Sequence, residues 1–463
     1  MSSTFLSLHI GSSALRAHQR ALETIGHNVA NVNTPGYTRQ ETVLASLSVP
    51  PLSSNVMQGI GVQAKEIRRF SSSFLARQTR RENQLLGQWE AMKDALRDIQ
   101  AVFQEVNGEG LNDHLNRFWG AWHELSITPE SAATRVNVQQ QGSQLALSLS
   151  TRYQRLSKLR QVLDTQVRER VEEINDRAEQ IAELNERIRR AQAMQLHPND
   201  LLDSRDRLVD ELAKFVSINY SEAEDGMVLL DIGGHGLVTR SGYIALTVTP
   251  NSANDNLLQV TWSDNGEEAR INGGELYGFL EARDVILPEK MAQLDEIAAA
   301  LISNVNSLHA SGFGRNGATG LDFFTGTGAA DIALSSAVAE NADNIASAAS
   351  ADSPGDGSVA LSIARLQQRP LLDGGSSTIG DFYGAKVALL GLEVRQAEGM
   401  TDNQSLLLRH LEARRDELAG VSLDEEAMRL ISFQRAFQAA ARVVTATDEM
   451  LDRLINGMGL VGR

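Results

Sequence analysis

Both ends of this chain carry apolar residues spaced seven apart. Near the start Leu8, Leu15, Leu22 and Val29 share that period, with Ala21 and Ile25 on the same stripe. Near the end Leu423, Leu430, Phe437, Val444, Leu451 and Met458 repeat it, with Phe433, Ala440 and Leu454 as companions. A helix lying on a globular core needs only a broad apolar stripe at a 3.6-residue period, whereas a sustained seven-residue repeat presents a narrow seam to a partner helix. The expectation is that the two termini pair with each other as a coiled coil and that the rest of the chain lies between them.

The interior reads as a long helix followed by a β-rich insertion. Leu145, Leu149, Leu156, Leu159, Leu163, Val167, Val171, Ile174, Ile181, Leu184 and Ile188 recur at three and four, and neither proline nor glycine interrupts residues 143–196. Some 50 residues at 1.5 Å rise make a rod of roughly 75 Å. Its other face alternates Arg and Glu, from Glu169 to Arg189, as a solvated face does. His197-Pro198-Asn199-Asp200 stops it. From Ser217 the period becomes two, with strands at 227–232, 243–248 and 257–262 and glycine turns between them. Gly273-Gly274 ends this insertion; a helix starts near Glu275 and holds Leu276, Leu280 and Ile286, and another follows with Met291, Leu294, Ile297, Leu301 and Val305. Glycine- and serine-rich stretches follow at 311–328 and 347–357, then helices at 382–398 and 403–418. The expected fold is therefore mainly α with a small β-rich insertion, an elongated multidomain protein with terminal coiled-coil helices and a long-helix bundle. Its units are expected at 1–60 plus 420–463 (coiled coil), 61–216 plus 275–419 (helical rod) and 217–274 (β-rich).

Several function classes fall away. Lys and Arg total 43 against 59 Asp and Glu, and a net charge of −16 repels a nucleic-acid backbone. With no cysteine there are no disulfides, thiolate metal sites or cysteine nucleophiles. Aromatics are only 5% of the chain, so many contacts are expected to come from Ala and Leu along helices. No run of about 20 apolar residues marks a membrane helix. The first 30 residues, amphipathic and holding His9, Arg16, His18 and Arg20, are not expected to act as a Sec signal peptide. His9, His18 and His27 stand nine apart, half a helical turn out of phase, and cannot share a metal. Gly326-Thr327-Gly328-Ala329-Ala330-Asp331 lacks the strand and last glycine of a dinucleotide turn, and the acidic loops at 251–256 and 352–356 do not match a calcium loop. Asp203 and Asp206 stand beside arginines, which suits a structural ion-pair network. No catalytic, metal or cofactor-binding constellation is expected.

One local pattern stands out. At the end of the first helix come Asn28, Val29, Ala30, Asn31, Val32, Asn33, Thr34, Pro35, Gly36 and Tyr37. Asparagines tolerate left-handed backbone and bond to it locally, Pro35 pushes Thr34 out of the helical region, and Gly36 relieves the turn. So dense a stop predicts a defined corner.

At this corner, Ala30-Asn31-Val32-Asn33-Thr34-Pro35-Gly36-Tyr37 resembles the axial proteins of the bacterial flagellum. So does the other end, at Glu425-Glu426-Ala427-Met428, at Phe433-Gln434-Arg435-Ala436-Phe437 and at Asp448-Glu449-Met450-Leu451. Within the superfamily, 198–206, Gly273-Gly274-Glu275-Leu276 with Ala282-Arg283-Asp284, 294–309 and Gly320-Leu321-Asp322-Phe323-Phe324 resemble the hook-associated protein 1 family. The likeness weakens at 217–272 and 325–380. It implies a junction subunit between hook and filament, exported through the flagellar type III channel without a cleavable signal and located outside the cell. The implied partners are copies of itself in a helical ring, hook protein, a second junction protein or filament-side neighbour, and an export chaperone on the C-terminal helix. Nucleic acid, membrane insertion and cofactors are not among them. The nearest alternative is a hook or distal-rod subunit, against which the long helix argues. A flagellum-anchored secreted hydrolase would need a cleft that the residues do not provide.

Overall fold

The computed structural model describes residues 2–49, 58–103 and 110–457. Met458 of the C-terminal repeat lies outside them, as does the side chain of Leu454. Eleven helices dominate: α1 (Ser2–Ala30), α2 (Ser73–Phe103), α3 (Leu111–Ile127), α4 (Ala132–Ala193), α5 (Asn199–Phe215), α6 (Glu275–Glu281), α7 (Leu287–Ser311), α8 (Ser336–Glu340), α9 (Ser358–Ala364), α10 (Ile379–Ala419) and α11 (Leu423–Gly457). Between them run β1 (Gln40–Val49), β2 (Gln58–Arg69), β3 (Asn219–Glu222), β4 (Val228–Ile232), β5 (His235–Thr239), β6 (Gly242–Tyr243), β7 (Leu246–Asn251), β8 (Leu257–Trp262), β9 (Phe324–Thr325) and β10 (Ala333–Leu334).

The rod is longer than its uninterrupted stretch suggested. Helix α4 has 62 residues, roughly 90 Å at 1.5 Å each, and starts at an N-cap, Ser131, whose side chain accepts from Thr134 N. Gly142 lies inside it because the ring of Phe323 occupies the place of its side chain, 2.8 Å from where a Cβ would sit. Two apolar cores are strung along this helix. Val138, Leu145, Leu149, Leu156 and Leu163 pack with the end of α2, with α3, α7, α9 and the first half of α10. Val167, Val171, Ile174, Ile181 and Ile188 pack with α5, α6 and strands β4, β5, β7 and β8. The few aromatics are concentrated: Phe118, Trp119, Trp122, Phe323 and Phe324 meet in the first core with ring centroids 4.8 to 6.2 Å apart.

The β-rich insertion forms a four-stranded antiparallel sheet in the order β3-β4-β5-β6 and a separate hairpin β7-β8. Three polar side chains of α4 hold strand backbone. Asn185 accepts from Val228 N and donates to Val228 O, Asn175 does the same to Leu246, and Asp164 accepts from Leu258 N. Each replaces a neighbouring strand's groups, which a buried strand would otherwise leave unpaired.

Three expectations are corrected. The segment after the corner is not part of a terminal coiled coil; it is the antiparallel hairpin β1-β2, in which Gln40 faces Arg69, and the unit boundary expected at residue 60 falls inside β2. The helices expected at 382–398 and 403–418 are one helix of 41 residues, α10, capped by Thr378. Helices α6 and α7 are joined without a break by a π-helical segment, Ala282–Ile286. Pro288 has no N–H for the carbonyl of Asp284, and the wider turn before it accommodates that loss. Arg283, buried in the segment, donates to Asp164, Asp284 and Leu258 O.

His309, at the end of α7, is enclosed beside Trp122 and Phe323. Its Nε2 accepts from Ala346 N, so Nδ1 carries the proton and donates to Leu321 O at 2.6 Å. Burial lowers its pKa. The unfolded chain therefore binds the second imidazole proton more readily, and the histidine's contribution to stability is complete above the ordinary value near 6.5 and lost as pH falls below it. The melting temperature is expected to fall between pH 7.5 and 5.5 with a steeper slope for the wild type than for His309→Gln. Equal slopes in calorimetry would remove the histidine from the account.

A candidate assembly site at the paired termini

Helices α1 and α11 run antiparallel in contact. Asn28 meets Glu426, His18 lies 5.9 Å from Phe433 between ring centroids, and Gly11 is where Val444 leaves no room for a Cβ. The side chains of the seven-residue repeats occupy this contact unevenly. Leu8, Leu15 and Leu22 on α1 and Leu430, Phe433, Phe437, Val444 and Leu451 on α11 are partly buried, and Ile25 is buried. Val29 and Leu423 do not join them, being 39% and 52% exposed. Helix α1 buries a second stripe of small residues, Ser13, Ala17, Ala21 and Thr24, toward the hairpin. There Thr24 Oγ1 bonds Thr42 Oγ1 at 2.8 Å and Ser13 Oγ accepts from Val62 N. A seven-residue repeat shows only one of these two faces and carries no sign of the hairpin on the other.

The corner is built on Asn28, 1% exposed. Its amide donates to Gln40 O at 2.8 Å and to Glu426 Oε2 at 3.0 Å; its oxygen accepts from Gln40 N at 2.9 Å and from the Tyr37 hydroxyl at 2.8 Å. One side chain thus ties the end of α1, the corner, the start of β1 and the start of α11. Burial raises the Tyr37 pKa, and Asp200, Asp203 and Glu426 raise it further, so the hydroxyl keeps its proton as a donor. Asn31 and Thr34 shape the turn, with Thr34 N donating to Asn31 O and Tyr37 N to Thr34 O. Gly36 sits at φ +79°, which only glycine adopts without strain. Asn33, Thr34 and Pro35 lie on the surface.

Residues around the motif complete it. Glu426, also 1% exposed, takes Arg39 Nε on its other oxygen at 2.8 Å. Thr38 donates its N–H and hydroxyl to Asp203, and Gln40 bonds Asp200 and Asn199. Arg69 bridges Asp203 and Asp206 at 2.9 and 2.7 Å; Arg80 bridges Asp206 and Asp210 at 3.1 and 2.8 Å; Arg415 reaches Asp210 at 3.1 Å. Burial opposes the charge on Arg69 and Arg80, but the acids beside them outweigh it and raise both pKa values. The acids at 203 and 206 do sit in an ion-pair network, with arginines from β2 and α2. Their sequence neighbour Arg205 instead holds Asn185 and the Gly226 carbonyl. The signal for these partners lay in their types: an acid pair opening α11, and four acids on one face of α5.

Removing Asn28 strands the Gln40 backbone and leaves Glu426 one partner short. Asn28→Ala is expected to cost about 2–4 kcal/mol of local stability, read as faster amide exchange along α1 and the start of α11. Combined with Glu426→Ala it should couple by about 1–2 kcal/mol, whereas Asn31→Ala should show no coupling with Glu426→Ala.

Known families match both termini and the body of the chain. The model "Flagellar hook-associated protein FlgK helical domain" matches residues 96–324, "Flagellar basal body rod FlgEFG protein C-terminal" matches 414–457, and "Flagella basal body rod protein" matches 8–38. Flagellar hook-associated protein 1 of Bacillus subtilis (strain 168) is 31% identical over 512 residues, covering 100% of both chains. The Salmonella typhimurium protein of the same name is 30% identical over 68% of this chain and 58% of its own. The solved structure of the flagellar hook junction protein FlgK from Burkholderia pseudomallei shares the fold, with a TM-score of 0.67 at 14% identity, over 74% of this chain and 100% of that one. With one relative matched from end to end and the helical-domain model on its body, the chain belongs to the flagellar hook-associated protein 1 family.

Proposed function

We propose that this chain is a structural subunit of the flagellum that builds the junction between hook and filament by self-assembly through its paired termini. It is a structural protein and not an enzyme. The observation that carries the reading is the apolar surface that α1 and α11 leave uncovered after pairing: Phe5, Ile10 and Val29 on one, Leu423, Met428, Ile431, Val443 and Met450 on the other. Neighbouring copies cover this surface. A contact between unlike faces of successive copies does not close on two subunits and generates a ring or a helical tube. In that assembly the seam residues and the corner motif form the inner layer, helices α2 to α7 and α10 the next, and the small β-rich unit at 217–274 the outer one.

Hook protein lies on one side of the ring, and a second junction protein or filament-side neighbour on the other. Before assembly the same apolar face of α11 is covered by an export chaperone, since so much exposed apolar surface would otherwise associate non-specifically. The chain leaves the cell through the flagellar export channel, without a cleavable signal peptide.

Ile431→Glu with Val443→Glu is expected to leave the helical content unchanged and to abolish incorporation into flagella. Truncation after Gly420 removes α11 and should likewise abolish incorporation, while the remaining chain stays folded by circular dichroism. In immunogold microscopy of sheared flagella, antibody should mark a short band between the curved hook and the filament. Label along the whole hook would transfer the protein to the hook-subunit class, and a truncated chain that still joined flagella would discard the paired termini as the assembly site.

A further inference from the structure

We propose that in the flagellum the body of each copy packs side by side against the next, the outer face of α4 on one copy meeting the outer face of α10 on its neighbour. The proposal rests on the self-assembly reading above and adds to it a second surface, away from the termini.

Both helices leave apolar side chains in water that neither core uses. Val136 and Leu147 on α4 and Leu389 and Leu392 on α10 are 40 to 65% exposed. From residue 132 to 151 the one charged residue of α4 is Arg135, which is buried, so this end of its outer face is uncharged. Further along, the same face turns acidic. Glu169, Glu172, Asp176, Glu179 and Glu183 are exposed and three or four apart, and none has an ion pair or hydrogen bond among the described residues. Like charges at that spacing repel one another, so the row weakens its own helix until opposite charge is set against it. On α10 the exposed Arg409 and Arg414 are likewise without a partner among the described residues.

The two faces lie on opposite flanks of the body, because α2, α3 and α7 each touch both helices and stand between them. Both helices also run in the same direction at the same height. Beside the first core Arg160 of α4 donates to the Arg283 carbonyl, and Lys290, two turns further on, pairs with Glu393 of α10. Beside the second core Arg177 of α4 and Arg415 of α10 reach adjacent residues of α5, Glu211 and Asp210. Copies in a ring point the same way, so equal heights meet. Leu389 and Leu392 then face the uncharged end of the neighbouring α4, and Arg409 and Arg414 face its acidic row. Apolar contact supplies adhesion, and opposed charge sets the register. Because the faces differ, the contact does not close on two copies and repeats around the ring.

The chain has no cysteine, so two can be introduced cleanly. Thr165→Cys on α4 and Asn403→Cys on α10, both exposed and uncharged, are placed in the full chain and expressed in cells without the wild-type copy. A short bis-maleimide added to intact flagella is expected to give a ladder of dimers and longer multimers, and each single variant only monomer. Within one chain the two positions cannot be joined, since α2, α3 and α7 intervene. Arg409→Glu with Arg414→Glu, and separately Glu172→Lys with Asp176→Lys, should each cut incorporation into flagella about tenfold, because like charges then oppose each other across the contact. The two pairs shift net charge in opposite directions, and all four together should restore incorporation. Flagella that contain the double-cysteine chain but give no ladder, full incorporation of either charge-reversed pair alone, or no rescue by the four together would overturn this interface and leave the junction reading standing. Absence of the wild-type chain from flagella would overturn both.

Discussion

A helix can offer a strand apolar surface but has no free backbone groups to complete its hydrogen bonds, and this architecture rests on how that deficit is met. The small sheets of the β-rich unit lie on α4, and Asn185, Asn175 and Asp164 stand in for the missing strand. In the other core Asn306 of α7 does the same for Phe323 and Phe324, accepting from both N–H groups and donating to the Phe324 carbonyl. Asparagine is a poor helix former, and inside a helix it is retained when its amide is used. These contacts fix register as well as energy, since a shift of one residue along the strand would pair the amide with the wrong face. The long helix thereby serves two cores at once.

The terminal unit follows a different logic. Its helices bury small residues against the hairpin and a partly covered seam against each other, with the remaining apolar surface outward. Its attachment to the body depends on Asp203 and Asp206 of α5 and on the corner that delivers Thr38, Gln40 and Arg69 to them. Asn28 and Glu426 lock the unit internally while the acids of α5 lock it externally.

Much of this was readable from residues, for physical reasons. Long uninterrupted periodicity marked α4, and the period-two stretches marked β4 and β8, because burial on one face leaves a regular imprint, while the strand expected at 243–248 divides between β6 and β7, which belong to separate sheets. The corner was readable because a sharp helix stop draws on particular residues: Gly36 takes the left-handed backbone, Pro35 cannot continue a helix, and Asn31 bonds the His27 carbonyl at the end of α1. The hairpin β1-β2 was not, since both of its faces are only partly buried and its alternation is weak. Nor could the sequence pair Arg69 with Asp206 or Asn28 with Glu426, because the types fit many partners and only the fold selects one. Residues 399–402, the gap between the two expected helices, are carried inside α10 because that helix packs along α2 and tertiary contact outweighs local propensity.

The antiparallel packing of α2 on α10 has a kinetic meaning. Asn28 and Glu426 are 398 positions apart, and closing so long a loop in an unfolded chain costs about 5 kcal/mol in entropy before any contact repays it. Once α2 and α10 have docked, Arg80 and Arg415 share Asp210, and Arg39 N already meets the Ala419 carbonyl. The two free segments then emerge side by side, and their search for each other becomes local. A folded body thus brings to one place two segments that lie at opposite ends of the chain, and the loop between the terminal helices is in effect already closed.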